Sequence, residues 1–236
     1  MSLLPSQSGS TAPTGAGAVG GGNPARALVF SGGELGPWAI AEIRPGDRLI
    51  GADHGAWFLV ENGIVPDLAI GDFDSVTAEE RHAIEEKSRQ MEACDPIDKD
   101  YTDTELAVER AIAGAPSSIT LLGVLGTRFD HSLANIHLLV KCAERGVPCR
   151  IVDAHNEIAL VQPGAPQSVK RSRYANVSLL PLSLEVTGIT LTGFQYPLTD
   201  ARLTMGQSLG ISNVLNGELG TVETKSGLLL VIQSVD

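Results

Sequence analysis

Positively charged residues are scarce in this chain. Its 236 residues include 17 lysines and arginines against 28 aspartates and glutamates, which gives a formal net charge of −11 at pH 7. Because nucleic acids are bound through clusters of lysine and arginine, this balance argues against DNA or RNA as a partner. It does not argue against a nucleotide, which can bind through a glycine-rich turn, a few basic side chains and a metal ion.

Cysteine is also rare. The chain has three, Cys94, Cys142 and Cys149, with no C-x-x-C pair and no spacing typical of a disulfide framework. This usage favours a reducing compartment. Cys142 and Cys149 lie in apolar patterns, which predict packing rather than chemistry for both. We therefore expect a cytoplasmic protein.

Long hydrophobic runs are missing, and no stretch reaches the length of a transmembrane helix. Residues 1–24 are rich in Ser, Gly, Ala, Thr and Pro, and they lack the basic start and apolar segment of a signal peptide. We expect this segment to be a disordered leader. Apolar residues still make up 43% of the chain, which is enough for a substantial core.

Short apolar strands alternate with helical patterns as far as about residue 155. The predicted strands are 27–30, 48–53, 68–70, 118–124 and 150–153, and the predicted helices are 56–60, 77–89, 102–113 and 130–145. This alternation predicts an α/β fold with a mostly parallel, doubly wound sheet.

The remaining chain contains β-branched runs and turns, with no helical pattern. The predicted strands there are 176–182, 185–192, 208–214, 220–224 and 228–233. They predict a small all-β sandwich. We expect two domains, an α/β domain at 25–160 and the sandwich at 165–236. About 70 residues fold alone only marginally, so the sandwich should pack on the first domain or on a second subunit.

Two aspartates, Asp72 and Asp74, follow the predicted strand 68–70, whose end is marked by Gly71. Ionised carboxylates are costly to bury unpaired, and two at about 5 Å repel by roughly 3 kcal/mol at an effective dielectric near 20. A divalent cation removes this repulsion, and ligands of open α/β sheets gather at the carboxyl ends of strands. The pair therefore predicts a metal site, with an ordinary Asx turn as the alternative.

More acidic residues recur at predicted strand ends and helix starts: Asp53, Asp98, Asp100, Asp103 and Asp130. Just before the helix 102–113, Thr102 and Glu105 are spaced as a capping box, and acidic residues suit the helix dipole. A second interpretation is that Lys99 reaches a phosphate while Asp100 or Asp103 holds a cation. The two interpretations are compatible, because a helix N-terminus suits anionic ligands.

Two further segments carry polar residues of interest. Arg128 and Asp130 lie in a glycine-containing loop after the strand 118–124, where an arginine fork matches phosphate oxygens. The alternative is a plain connection, with Asp130 capping the next helix and Arg128 simply exposed. In the C-terminal part, Ser212 and Asn213 could bind a polar heterocycle, with a structural turn as the alternative.

Taken in order, these motifs resemble the bacterial type of the thiamine pyrophosphokinase (thiamine diphosphokinase) family. The matching segments are GADHG at 51–55, GDFDS at 71–75, KDYTD at 99–103, GTRFDH at 126–131, GFQYPL at 193–198, and Ser212 with Asn213. The resemblance implies transfer of the β,γ-pyrophosphoryl unit of ATP to the hydroxyl of thiamine, with release of AMP. It also implies Mg²⁺ as cofactor and a homodimer with the active site at the subunit interface.

The resemblance assigns roles by position. Asp72, Asp74 and Asp103 correspond to metal-binding residues, and together with Arg128 to catalytic ones. Asp53, Lys99, Arg128 and Asp130 correspond to nucleotide-binding positions. Asp130, Ser212 and Asn213 correspond to thiamine-binding positions.

Two other functions compete with this one. A D-x-D glycosyltransferase would use Asp72 and Asp74 with a metal and a nucleotide sugar, but it explains neither the segment 99–103 nor Ser212 with Asn213. A regulatory protein that binds thiamine or a nucleotide without catalysis would need a broken acidic cluster. Here the acidic residues are all present.

Overall fold

The computed structural model describes residues 25–94 and 101–236, and within them the chain forms thirteen strands and five helices. The strands are β1 (Ala27–Phe30), β2 (Arg48–Ala52), β3 (Leu68–Gly71), β4 (Met91–Ala93), β5 (Ile119–Leu122), β6 (Cys149–Val152), β7 (Asn156–Val161), β8 (Gln167–Lys170), β9 (Asn176–Pro181), β10 (Glu185–Thr192), β11 (Ala201–Thr204), β12 (Leu219–Glu223) and β13 (Leu229–Ser234). The helices are α1 (Pro37–Ile40), α2 (His54–Glu61), α3 (Ala78–Lys87), α4 (Asp103–Ala113) and α5 (Phe129–Glu144).

The described residues contain a main sheet of nine strands in the order β4-β3-β2-β1-β5-β6-β7-β13-β9. The first six strands of this order are all parallel to one another, and β7, β13 and β9 are added antiparallel. The chain runs outward from β1 to β4 and then restarts at β5 on the other side of β1. The reversal between β1 and β5 is a topological switch point, where open α/β sheets bind ligands.

Helices cover both faces of the parallel part. α4 and α5 bury Val108 and Leu139 in one apolar cluster, and α2 buries Phe58 and Leu59 in another. Every residue of β1, β3 and β5 is buried, as expected for strands covered on both faces. The predicted α/β class, with its mostly parallel doubly wound sheet, is confirmed.

A second, antiparallel sheet follows in the order β11-β10-β12-β8. Its apolar residues, including Val186 and Val222, pack in one cluster with Leu179 of β9 and Val231 of β13. The two sheets therefore enclose a small β-sandwich core, and the predicted small all-β part is also confirmed.

The main sheet crosses the expected boundary near residue 160. β7 pairs with β6 on one side and with β13 on the other, so strands from the C-terminal part extend the sheet of the N-terminal part. The division into 25–160 and 165–236 stays a prediction. The expected leader at 1–24 lies outside the described residues.

Two local predictions need correction. The segment 208–214 is a loop rather than a strand, and it touches the sheet through an isolated bridge between Asn213 and Val177. The Thr102 hydroxyl does cap α4 by accepting from the Glu105 N–H, but the Glu105 carboxylate binds Lys141 at 2.7 Å. Among the described helices, none has the length and apolar character needed to cross a membrane.

Candidate active site

Three aspartates meet at the carboxyl ends of β2 and β3. Asp53 directly follows β2, and Asp72 and Asp74 follow β3. One carboxylate oxygen from each lies within 4.8 Å of the other two. Because β2 and β3 are neighbouring parallel strands, Asp53 lies close to Asp72 and Asp74 although it is at least 19 positions away from them in sequence.

Asp103, at the start of α4, lies beside these three. Gly71 makes this approach possible, because a Cβ there would come within 3.2 Å of the Asp103 Oδ1 and 3.4 Å of the Asp53 Cβ. The backbone of Asp72 lies close to the Asp103 carboxylate and favours its charged form. Asp53, Asp72, Asp74 and Asp103 are called the acidic cluster below.

Burial and mutual repulsion make the acidic cluster costly to ionise. The pKa of Asp103 is raised from 3.8 to about 6, first by burial and then by the negative charges of Asp53 and Asp72. Burial likewise raises the pKa of Asp53, although the Ser75 hydroxyl donates a hydrogen bond to its Oδ2. The other oxygen, Oδ1, is buried with no hydrogen-bond partner. These groups fit a divalent cation, which would bind the unpaired oxygen and offset the repulsion between the carboxylates around it.

The backbone around the acidic cluster is held in sparsely populated conformations. Asp53 and Phe73 have φ of +52° and +57°, a region that residues other than glycine rarely enter. The Phe73 ring is buried in an apolar cluster with Ile84, and this anchors the turn. Asp72 Oδ1 accepts from the Asp74 N–H at 3.1 Å. The turn after β3 therefore contains an Asx-type hydrogen bond and also brings its carboxylates together with that of Asp53.

Sequence reasoning gave no role to three residues near the acidic cluster, Ser75, Ser31 and Thr104. Ser75 binds Asp53, as described above. The buried hydroxyls of Ser31 and Thr104 lie 2.6 Å apart and tie the end of β1 to the first turn of α4, next to Asp103. The turn after β1, Ser-Gly-Gly at 31–33, was the available signal for Ser31.

Arg128 and Asp130 lie at the start of α5 and bind each other. The Arg128 guanidinium donates to Asp130 Oδ2 at 2.6 Å, and both side chains are about two thirds exposed. Arg128 itself is the N-cap residue of α5, so Asp130 does not cap the helix and lies in its first turn. Lys99, with Asp98 and Asp100, falls outside the described residues.

Ser212 and Asn213 lie on the C-terminal part of the fold, beside β9. The buried Asn213 amide accepts from the N–H groups of Tyr196 and Val214 at 3.1 and 2.8 Å, and donates to the Tyr196 carbonyl at 2.7 Å. It therefore joins the loop 193–198 to the loop 208–214. Ser212 is exposed, and its N–H donates to the Ser178 hydroxyl at 3.1 Å.

Within one chain, the acidic cluster is far from Ser212 and Asn213. β3 and β9 are seven strand positions apart in the main sheet. At about 4.8 Å per strand this separation is on the order of 30 Å. The structure thus brings Asp53, Asp72, Asp74 and Asp103 together, but it does not bring Ser212 and Asn213 to them.

A cavity of about 690 Å³ opens at the switch point, outside the carboxyl ends of β1, β5 and β6. It is lined by Gly32, Gly33, Trp38 and Phe129, among others, and none of these residues was singled out for a function from the sequence. Another cavity, about 660 Å³, lies at the opposite ends of β2 and β3 and touches none of the predicted site residues.

Comparisons with known proteins cover both parts of the fold. Residues 43–151 match the family model described as thiamin pyrophosphokinase, catalytic domain, and residues 167–229 match the one described as thiamin pyrophosphokinase, vitamin B1 binding domain. The chain is 38% identical over 187 residues to thiamine pyrophosphokinase of Bacillus subtilis, covering 79% of this chain and 87% of that protein.

Comparison with solved structures finds the same family. The crystal structure of the Bacillus subtilis enzyme has a TM-score of 0.82 and 34% identity, covering 89% of this chain and 99% of that one. Thiamin pyrophosphokinase from Geobacillus thermodenitrificans has a TM-score of 0.80 and 35% identity, covering 89% and 98%. With two family models over most of its length and a relative this similar across both parts, the chain belongs to the thiamine pyrophosphokinase family.

Proposed function

We propose that this chain transfers the pyrophosphoryl group of ATP to thiamine, giving thiamine diphosphate and AMP (EC 2.7.6.2). The acidic cluster carries the proposal, because three carboxylates at the carboxyl ends of parallel strands, with Asp103 of α4 beside them, suit phosphoryl chemistry with a divalent cation. Membership of the family names the two substrates. The glycosyltransferase alternative is not supported, since both parts of the chain match thiamine pyrophosphokinase models.

Asp72, Asp74 and Asp103 are the residues we propose to hold Mg²⁺, with Asp53 as a fourth carboxylate. A carboxylate oxygen of Asp53 lies within 4.8 Å of one from Asp72 and one from Asp74, and the unpaired buried Oδ1 of Asp53 supports its inclusion. When bound, the ion neutralises charge on the phosphate oxygens, which favours attack by the thiamine hydroxyl. Asp72 and Asp74 would hold the ion in a fixed position, and with it the phosphates, because the buried Phe73 ring anchors the turn that carries both residues.

Arg128 is proposed to bind the nucleotide phosphates. Its present partner is Asp130, in an exposed ion pair. Such pairs contribute only about 0–1 kcal/mol, so the guanidinium can leave Asp130 for a phosphate at little cost. Asp130, once released, is free to contact either substrate. Lys99 stays a predicted nucleotide-binding residue on the strength of the family motif alone.

The thiamine-binding half of the site is proposed to come from a second copy of the chain. Thiamine cannot reach from Ser212 to the acidic cluster of the same chain across about 30 Å. Exposed apolar side chains surround Ser212: Tyr196, Leu209 and Ile211 are 60%, 68% and 45% exposed. A homodimer that covers this patch would bring Ser212 of one copy to the acidic cluster of the other.

A cytoplasmic location is proposed as well. Cys94, Cys142 and Cys149 are all free thiols, which suits a reducing compartment.

The function is tested by incubating the protein with thiamine, ATP and Mg²⁺ and measuring thiamine diphosphate and AMP. The Asp72→Asn variant should lose at least about a hundredfold in turnover, because it removes one carboxylate charge from the acidic cluster. Glu79→Gln, an exposed charge change at the start of α3, should keep full activity. Unimpaired turnover in Asp72→Asn, with normal urea unfolding of both variants, would rule out the role of the cluster.

A further inference from the structure

Two buried hydroxyl groups connect the end of β1 to the start of α4. Ser31 and Thr104 are each 8% exposed, and their side-chain oxygens lie 2.6 Å apart. Seventy-three positions separate the two residues in sequence, so this contact depends on the tertiary fold. Replacing both partners of a buried hydrogen bond by apolar groups of the same shape can be nearly neutral for stability. The presence of two hydroxyls here therefore calls for an explanation other than stability.

Ser31 has a fixed position relative to Asp53. Its N–H donates to the Leu122 carbonyl of β5 at 2.8 Å, so the sheet holds its backbone. Helix α2 packs directly on the same peptide, because a Cβ on Gly55 would lie only 2.8 Å from the Ser31 nitrogen. Gly55 is two residues after Asp53, so Ser31 lies next to the segment that carries this carboxylate.

Thr104 lies one residue after Asp103, in the first turn of α4. The Thr102 hydroxyl bonds within the helix, to the Glu105 N–H, so it caps α4 without attaching it to the sheet. The Thr104 hydroxyl does attach this turn to the end of β1. The clearance for Asp103 is small, since a Cβ on Gly71 would come within 3.2 Å of its Oδ1. A shift of the first turn of α4 would therefore move the Asp103 carboxylate within the acidic cluster.

We propose that Ser31 and Thr104 are positioning residues that hold the Asp103 carboxylate beside Asp53 and thereby set the affinity of the acidic cluster for Mg²⁺. The proposal rests on the pyrophosphoryl transfer proposed above and assigns neither hydroxyl a contact with a substrate. Its structural basis is that the end of β1 contacts both segments, the start of α2 after Asp53 and the first turn of α4 after Asp103.

The chemistry of Mg²⁺ makes such positioning important. The ion demands near-octahedral geometry with oxygens at about 2.0–2.1 Å, so a small displacement of one carboxylate weakens binding. Repulsion between the carboxylates acts to move Asp103, which is half-buried, away from Asp53. A hydrogen bond that ties α4 to β1 opposes this movement before the ion binds.

Variants that remove one hydroxyl test the assignment. In calorimetric titrations of the metal-free protein with MgCl₂, Thr104→Val and Ser31→Ala should each bind Mg²⁺ about tenfold more weakly than the wild type. This is the lower end of the range found for outer-shell partners of metal ligands. Thr104→Ser keeps the hydroxyl and should keep the wild-type affinity. The double variant should lose no more affinity than either single variant, because all three lack the same contact.

A second hydroxyl pair provides a matched control. The side-chain oxygens of Thr187, in β10, and Ser226 lie 2.7 Å apart in the sandwich. Thr187→Val breaks the same type of contact and should leave Mg²⁺ affinity unchanged. In turnover assays, Thr104→Val should raise the Mg²⁺ concentration for half-maximal activity about tenfold and leave KM for thiamine unchanged, because thiamine is proposed to bind on the second copy.

Three results would overturn the assignment: wild-type Mg²⁺ affinity in Thr104→Val and Ser31→Ala, weakening in Thr104→Ser equal to that in Thr104→Val, or equal weakening in Thr187→Val. If a single variant does not fold, the double variant, which leaves neither hydroxyl unpaired, provides the same test. Each of these results leaves the proposed function intact as long as the wild-type protein makes thiamine diphosphate and AMP. Failure of the wild-type reaction, by contrast, would sink the function whether or not the hydroxyls affect Mg²⁺ binding.

Discussion

Replacing Asp103 with asparagine is expected to stabilise the protein in the absence of metal and to weaken its response to Mg²⁺. Asp103 lies against Asp53 and Asp72, which raise its pKa in addition to the effect of burial. An asparagine there has nearly the same size and keeps one side-chain oxygen, but it carries no charge. Removing a charge from the acidic cluster therefore relieves repulsion in the folded state.

The sign and size of the effect of Asp103 on the free energy of unfolding follow from its pKa in the unfolded and folded states. Asp103 releases its proton near pH 3.8 in the unfolded chain and near 6 in the folded one, so the folded state binds more protons between these values. Its contribution to stability is therefore full below pH 3.8 and is lost as the pH rises through 6. At about 1.36 kcal/mol per pKa unit the loss is at most about 3 kcal/mol, and we expect about 1–2 kcal/mol because water screens a half-buried group.

The assay is thermal unfolding of wild type and Asp103→Asn after dialysis against a chelator. At about pH 7.5 the variant should melt roughly 2–8 °C above the wild type, and the difference should vanish near pH 4. Added Mg²⁺ should then raise the melting temperature of the wild type more than that of the variant. The reasoning is refuted if the metal-free variant is no more stable than the wild type at pH 7.5, or if its advantage is the same at pH 4.

Other variants test other parts of the account. Co-refolding Asp72→Asn chains with Ser212→Lys chains should restore about a quarter of wild-type activity, because half of randomly paired dimers are mixed and each has one intact site of two; no recovery would contradict a shared site. Asn213→Ala should lower the free energy of unfolding by about 1–3 kcal/mol, measured with urea, since it leaves partners in two loops unpaired. Gly71→Ala, at φ +145° and against Asp103, should cost about 1–3 kcal/mol and reduce Mg²⁺ affinity in a calorimetric titration; unchanged affinity would show that the close approach is not needed.

Local signals in the sequence were enough for five of the six parallel strands and for helices α2 to α5, whereas β4 and α1 were not predicted. Apolar runs such as 27–30 and 68–70 are strands buried on both faces, and their alternation with helical patterns identified the parallel sheet. The Thr102 hydroxyl caps its helix as the sequence predicted. Such features depend on residues close to one another in the chain, which is why a single sequence reveals them.

Features that depend on distant pairing were missed. β13 comes from the end of the chain yet pairs with β7, and nothing in the alternation of apolar residues indicates which sheet it joins. The run 208–214 has the composition of a strand, but its residues Gly210 and Asn213 bond to β9 from an irregular loop. Strand composition alone does not distinguish a ladder from a loop that packs along one.

The candidate site also combines features that the sequence predicts with features that depend on the pairing of distant segments. Parallel strands end at one edge, so the meeting of Asp53 with Asp72 and Asp74 could be expected before the structure was known. The separation of these carboxylates from Ser212 depends on the order of nine strands and could not be predicted from motif order. The structural use of the Asn213 amide, bound to Tyr196 and Val214, likewise depends on loop geometry.

The most direct measurement of the central claim follows the phosphates themselves. ATP labelled at both the β and γ phosphorus atoms is incubated with the protein, thiamine and Mg²⁺, and the products are separated. Pyrophosphoryl transfer predicts both labels in thiamine diphosphate and unlabelled AMP, with the reaction abolished by a chelator or by Asp72→Asn. Labelled ADP together with thiamine monophosphate, or no thiamine product at all, would contradict it.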